Sequence, residues 1–261
     1  MMLDSKKKFS ILDILLACSG FIVIIVIWSL ASNSSSALIP HPEDVFKRLI
    51  ASFSQKIGRY SLLQHTLVSL RRVVIGFSLA AVSGILVGIV MGRSKLADAI
   101  IRPLFEIVRP IPGVAWIPMA ILWFGIGENS KYFIIFMGGF AHLVVNTYSG
   151  ARRSDPLLIG VANMLGASNR QTFLNVVLPS CVPYIFAGLQ VSLSTSWMAV
   201  LAAEMVSSTE GSGWIIIAGM ESGDMTQIFV GIISIAVVGL LLAIIMRKAE
   251  QILCRWRIAG N

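Results

Sequence analysis

Apolar residues gather in six long runs, at about residues 14–31, 73–91, 104–124, 133–148, 183–203 and 228–246, with shorter polar stretches between them. Each run approaches the roughly 20 residues that a helix needs to cross a hydrocarbon core. Backbone groups in lipid must find partners within the chain, so the runs predict membrane helices or a closed barrel. Barrel strands would alternate apolar and polar positions over about ten residues, and these runs do not alternate. The pattern predicts an all-α membrane protein with six transmembrane helices.

One stretch breaks the pattern. From Asp155 to Leu189 the chain is amphipathic, where a loop of a few residues would have sufficed. Leu157, Leu158, Val161, Ala162 and Leu165 recur at helical spacing and predict a short helix with one apolar face. Asp155 suits its N-cap, Pro156 its first position and Gly166 its stop. Leu178-Pro179 and Pro183 then open the next apolar run. A short capped helix on the membrane surface predicts a docking site for another protein, built from Asp155, Leu157, Leu158, Val161, Ala162, Leu165, Gly166, Ala167 and Arg170.

At 56% hydrophobic and 13% charged residues in 261, the composition leaves room for little besides membrane helices. The chain therefore divides into residues 1–72 (N-terminal tip, first helix and external segment), a core at 73–246 containing the docking loop 150–182, and a basic tail at 247–261. Net charge is +8, and its distribution sets orientation. Lys6, Lys7, Lys8, Arg93, Lys95, Arg102, Arg152, Arg153, Arg170, Arg247, Lys248, Arg255 and Arg257 fall on one side, against Lys47, Arg48, Lys56, Arg59 and Lys131 on the other. The positive-inside rule puts both termini and the docking loop in the cytoplasm. The first run follows three lysines, as in a cleavable signal, but its length and Trp28 favour a retained anchor. No basic soluble domain exists to bind nucleic acid. Cys18, Cys181 and Cys254 are too scattered for a disulfide framework or a metal site.

Several side chains inside the runs carry candidate roles. Gly76, Ala80, Gly84, Gly88 and Gly92 form a four-spaced stripe that predicts close helix packing. Arg102, Glu106 and Arg109 share a helix face, and Glu106 can pair with either arginine. Pro110, Pro112 and Pro118 follow and bend or break that helix. Broken helices with ionisable groups mark a pathway or a mobile element, or else the charges are structural. Ser192, Ser194, Thr195 and Ser196 either line a polar route or bond neighbouring helices, and Trp197 follows them. Glu204 is expected near the outer end, as a solvated group or a substrate contact. His41 and His65 fall outside or at the interface, and His142 reads as a buried histidine bonded to a neighbouring helix. The translocation candidates are thus Arg109, Glu106, Ser192, Ser196, Trp197 and Glu204. No phosphate-binding G-x-x-x-x-G-K-[ST] loop and no hydrolytic motif occurs, so no catalytic residue is expected on this chain.

The docking stretch resembles the signature loop of the membrane subunits of bacterial ATP-binding-cassette importers: E-A-A, three residues, Gly, nine residues, Ile-x-Leu-Pro. Here Gly160, Val161 and Ala162 hold the first three places, Gly166 the glycine, and Val176-Val177-Leu178-Pro179 the ending. Ile39-Pro40-His41-Pro42, Leu70-Arg71-Arg72, Arg109-Pro110-Ile111-Pro112, Trp123-Phe124-Gly125-Ile126-Gly127 and Ala202-Ala203-Glu204 resemble the branch importing nitrate, sulfonates, taurine or bicarbonate. The resemblance implies a bundle of the type I importer kind with a cytoplasmic coupling helix. It further implies a homodimer of the permease in the bacterial inner membrane, two ATPase subunits holding ATP and Mg at the cytoplasmic face, and an external substrate-binding protein. The competing expectation is an ATP-independent carrier or channel with a regulatory cytoplasmic loop.

Overall fold

The computed structural model describes residues 11–33 and 39–254, with backbone alone for 11–18 and 21. Lys6, Lys7, Lys8, Arg255 and Arg257, used above to orient the chain, and the Cys18 side chain lie outside the described residues. In chain order the helices are α1 (Ile11–Ser32), α2 (Pro42–Ser54), α3 (Leu62–Arg93), α4 (Lys95–Val108), α5 (Ile117–Phe124), α6 (Glu128–Arg152), α7 (Pro156–Met164), α8 (Asn169–Thr172), α9 (Leu178–Ser207), α10 (Ser212–Ser222) and α11 (Met225–Leu253). A two-residue hairpin, β1 (Lys56–Ile57) with β2 (Tyr60–Ser61), joins α2 to α3. The protein is an all-α membrane bundle.

The count of six spans needs correcting, and the break expected at the prolines is present. Among the described residues, α3, α6, the α8–α9 unit and α11 are long and apolar enough to cross a bilayer, and the described apolar part of α1 is shorter. The predicted run 104–124 is no single helix. It is α4, a 3-10 turn at Gly113–Trp116 and α5, bent by 87° at the break. Pro110 and Pro112 lack the backbone donors that a continuous helix would require there. They explain why the apolar run continues while the helix does not.

The glycine stripe sets the core. A Cβ at Gly76, Gly84, Gly88 or Gly92 would come within 2.5–2.8 Å of Ile135, Leu143, Thr147 or Ala151 on α6. The step is four on both helices and ascends on both, so α3 and α6 run parallel with backbones in close approach. Against α9 the order reverses: Gly138 meets Thr195 and Ala199, while Gly150 meets Tyr184. These three helices form the centre. α11 packs on α9, where the Trp197 indole donates to the Ile235 carbonyl at 3.3 Å.

The chain directions define two ends. At one, called here the loop end, α3 and α6 finish and α7 and α8 stand beside the start of α9. At the other, the cap end, α2, the hairpin and α10 close over the starts of α3 and α6. Val45, Ile57, Leu62, Ile215 and Val230 form the cap's own core, with Trp28 packed against it. α1 is fastened there too, by the Trp28 indole donating to Pro40 and stacking on Phe229 at 5.3 Å.

Candidate functional site

The docking helix forms as its sequence dictates. Asp155 caps α7, accepting from the Leu157 amide at 2.9 Å, and Pro156 occupies the first turn. Gly166 ends it in the left-handed region at φ 78°. The Gly166 amide then reaches the Asn163 carbonyl and the Ala167 amide the Ala162 carbonyl, each at 3.0 Å. That pair of bonds is the Schellman stop, and glycine makes it without a steric penalty. Ser168 caps α8 through a reciprocal box with Gln171.

None of α7 is buried. Leu158, Val161, Ala162 and Leu165 face Val176, Pro179 and Pro183 across an apolar groove of about 810 Å³. Leu157 and Met164 project elsewhere, 77% and 88% exposed. A nine-residue helix with a wide apolar face left open, at the end of a bundle, is unfinished as a surface. It returns to α9 through a π-helical turn at Phe173–Val177, where the Leu178 amide bonds back to the Phe173 carbonyl. Pro179 follows that turn at once, in the first turn of α9. Ala151, Val177 and Cys181 bury the junction against α6.

The translocation candidates go to three different places. Arg102, Glu106 and Arg109 lie on one side of α4, each about half exposed, with Glu106 at 3.9 Å from Arg102 and 3.7 Å from Arg109. Ser192 and Ser196 are buried in the α6–α9 seam against Gly139. The Ser196 hydroxyl donates to the Ile135 carbonyl at 3.2 Å, whereas Ser192 Oγ has no partner among the described residues. Glu204 is neither solvated nor near solvent. It is fully buried and accepts from Arg72 Nη1 at 2.8 Å, the Gly213 amide at 3.0 Å and the Ser69 hydroxyl.

That last contact belongs to a cluster the sequence did not disclose. Arg72, itself fully buried, forks onto Glu128 through Nε at 2.8 Å and Nη2 at 2.6 Å. It also reaches the Glu210 carboxylate at 3.3 Å and carbonyl at 3.0 Å, and Lys131 supports Glu128 at 2.9 Å. His65, at the start of α3, is buried within the cap, bonded to Ile57 and to the Gly211 amide, and stacked on Trp214. One guanidinium thereby ties α3, α6, α9 and the segment entering α10 together at the cap end. Its sequence signal is no more than one of two adjacent arginines at the edge of an apolar run. His142 also departs from expectation, since its buried Nδ1 has no partner among the described residues. Outside the membrane helices, Lys47 at 2.6 Å holds the Glu43 carboxyl below the usual carboxylate range.

A bundle of membrane helices that holds out a capped, apolar helix at one end is the architecture of a transport-system membrane subunit. Residues 84–254 match the family of binding-protein-dependent transport system inner membrane components, and the chain belongs to that family, as a multi-pass membrane component. It is 36% identical, over 98% of both chains, to a putative ABC transporter permease protein of Methanocaldococcus jannaschii. Identity to the taurine transport system permease protein of Escherichia coli is 32%, covering 90% of this chain and 86% of that one. To the bicarbonate transport system permease protein of Synechococcus elongatus it is 35%, covering 91% and 88%. Among solved structures, a chain of the MetNI methionine ABC transporter shares the fold, with TM-score 0.63 at 18% identity over 73% of this chain and 95% of that one.

Proposed function

We propose that this chain is the permease of an ATP-driven importer for a small anionic solute of the sulfonate, taurine, bicarbonate or nitrate kind. Two copies pair in the inner membrane with both termini and α7 cytoplasmic. Each α7 docks into a separate ATPase subunit, which holds the ATP and Mg, while an external binding protein delivers solute to the other face. ATP-driven closure of the ATPases moves the two α7 helices and alternates access to the path between the permeases. The observation that carries the reading is α7 itself, its apolar face exposed, stopped at Gly166 and left uncovered at the loop end. The names of the relatives support the solute class.

The test is purification of the tagged permease from native membranes, wild type beside Gly166→Arg and Gly166→Asn. A Cβ at Gly166 meets nothing within 4 Å, so an arginine there projects outward, with its strain at φ 78° confined to the loop. Asparagine tolerates the left-handed conformation and serves as the control. An ATPase held by wild type and by Gly166→Asn, and lost from Gly166→Arg, is the expected result. No ATPase with any of the three, in a detergent that preserves such complexes, would return the reading to an ATP-independent carrier.

A further inference from the structure

α4 is amphipathic the opposite way round from a surface helix. Leu96, Ile100, Leu104 and Ile107 share one face and are all strongly exposed, while Arg102, Phe105 and Arg109 lie on the other and turn towards α6. With Glu106, Val144 and Tyr148 they line a cleft of about 210 Å³, the volume of about seven water molecules and room for a small oxyanion. Its place along α6 follows from two contacts. Arg102 reaches Tyr148, one turn from the end of α6, and Gly113 beyond the bend meets Gly138, near its middle, so Arg109 falls between the two. The apolar face of α4 is compatible with lipid. A guanidinium at the depth of Arg109 is not, and it requires water, a counter-charge or a ligand.

The counter-charge present is incomplete. Glu106 lies 3.9 Å from Arg102 and 3.7 Å from Arg109, beyond the 2.7–2.9 Å of a charge-assisted hydrogen bond. Elsewhere in this molecule Arg72 shows what a satisfied guanidinium looks like, with three carboxylate contacts at 2.6–2.8 Å. Two cations against one loosely held carboxylate leave donors and one positive charge to spare. The Arg102 guanidinium is set over the Tyr148 ring at 5.9 Å, and Tyr148 is in turn bonded to Arg152 and Asp98. The arginine is therefore positioned, although its hydrogen-bonding capacity is not used up.

We propose that the cleft between α4 and α6 binds the oxyanion group of the transported solute through Arg102 and Arg109, with Glu106 as a tethered carboxylate that occupies the empty site and yields to it. This rests on the transport reading above and adds a site within the membrane to it. The shared chemistry is a monoanionic oxyanion, which a lipid headgroup phosphate also presents. Arg109 lies about 10 Å further along α4 than Arg102, away from the loop end, which favours the solute.

The full-length permease in phosphatidylcholine nanodiscs tests it, with ethanesulfonate as probe and the neutral ethyl methyl sulfone as control. Binding is read from the shift in unfolding temperature by tryptophan fluorescence. Ethanesulfonate should raise that temperature saturably and the sulfone should not. Arg102→Gln or Arg109→Gln should weaken the apparent Kd roughly tenfold or more, as expected for losing one charge-assisted bond. Glu106→Gln should tighten it several-fold, an effect that mere structural support by Glu106 does not produce. Unchanged or weaker binding in Glu106→Gln overturns the proposal, as does wild-type affinity in both arginine variants. If phosphatidylglycerol abolishes the response, and its retention in native mass spectra depends on Arg109, the site belongs to a headgroup and the solute assignment fails. Co-purification of the ATPase with these variants separates this outcome from the transport reading, which stands or falls at Gly166.

Discussion

Arg71 and Arg72 are neighbours in sequence and opposites in structure. The Arg71 side chain is 61% exposed and the Arg72 side chain 1%. One residue is about 100° of helix, which turns the first outward and the second into the protein. A run of letters cannot say which of the two faces inward, so the cap-end cluster was illegible although Glu204 and Arg72 were both noted. Removing one partner of a buried pair strands the other charge, at a cost of about 3–5 kcal/mol. Arg72→Met should accordingly lower the unfolding temperature of the purified protein sharply, because Glu204 is left buried and bare. The double variant Arg72→Met with Glu204→Gln should recover much of the loss, since Glu128 and Glu210 keep some access to water. Arg72→Lys should not recover it, because an ammonium group cannot fork onto Glu128 while also holding Glu204. Equal stability of the single and double variants would show the buried charge to be of no consequence.

Among elements, the long apolar ones were legible and the short ones were not. α3, α6, α9 and α11 announce themselves by length and hydropathy, and the bend by Pro110 and Pro112. α7 was legible down to its caps, because Asp155, Pro156 and Gly166 each act locally. α10 was missed because Gly211, Gly213, Gly219 and Gly223 read as a loop, whereas Gly213 and Gly219 are there for close approach to α9 and α11. α2 was missed because its stability comes from packing Val45 into the cap core, and a sequence does not show that core. The two kinds of helical glycine predict opposite outcomes. Gly84→Leu forces a side chain into a seam where even a Cβ lies 2.8 Å from that of Leu143. It should separate α3 from α6 and cut the yield of folded protein severely. Gly160 in α7 has open space around its α-carbon, so Gly160→Ala should be tolerated and favour the helix by about 1 kcal/mol. A rise in resistance of the loop to limited proteolysis would check it, and increased cleavage would contradict the geometry.

For the whole molecule, the parallel α3–α6 pair and the antiparallel α9 fix which segments share an end. Ser168 stands exposed at the loop end and Glu221 at the cap end. With Cys18, Cys181 and Cys254 replaced, Ser168→Cys should react with a membrane-impermeant maleimide only in inverted vesicles, and Glu221→Cys only in intact cells. Labelling of both from one side would contradict the helix directions, and exchange of the two sides would contradict the orientation proposed from the basic residues.

The shared guanidinium at the cap has a mechanical meaning as well. Glu128, Glu204 and Glu210 arrive from three segments and meet at one side chain of a fourth. Neither Arg72 nor Glu204 can leave alone without stranding a buried charge, so Arg72 is the keystone of an arch. An arch carries load without flexing. Whatever displacement reaches this subunit at α7 must be taken up below the keystone, at the proline bend or in the π turn, or else swing the whole vault as one piece.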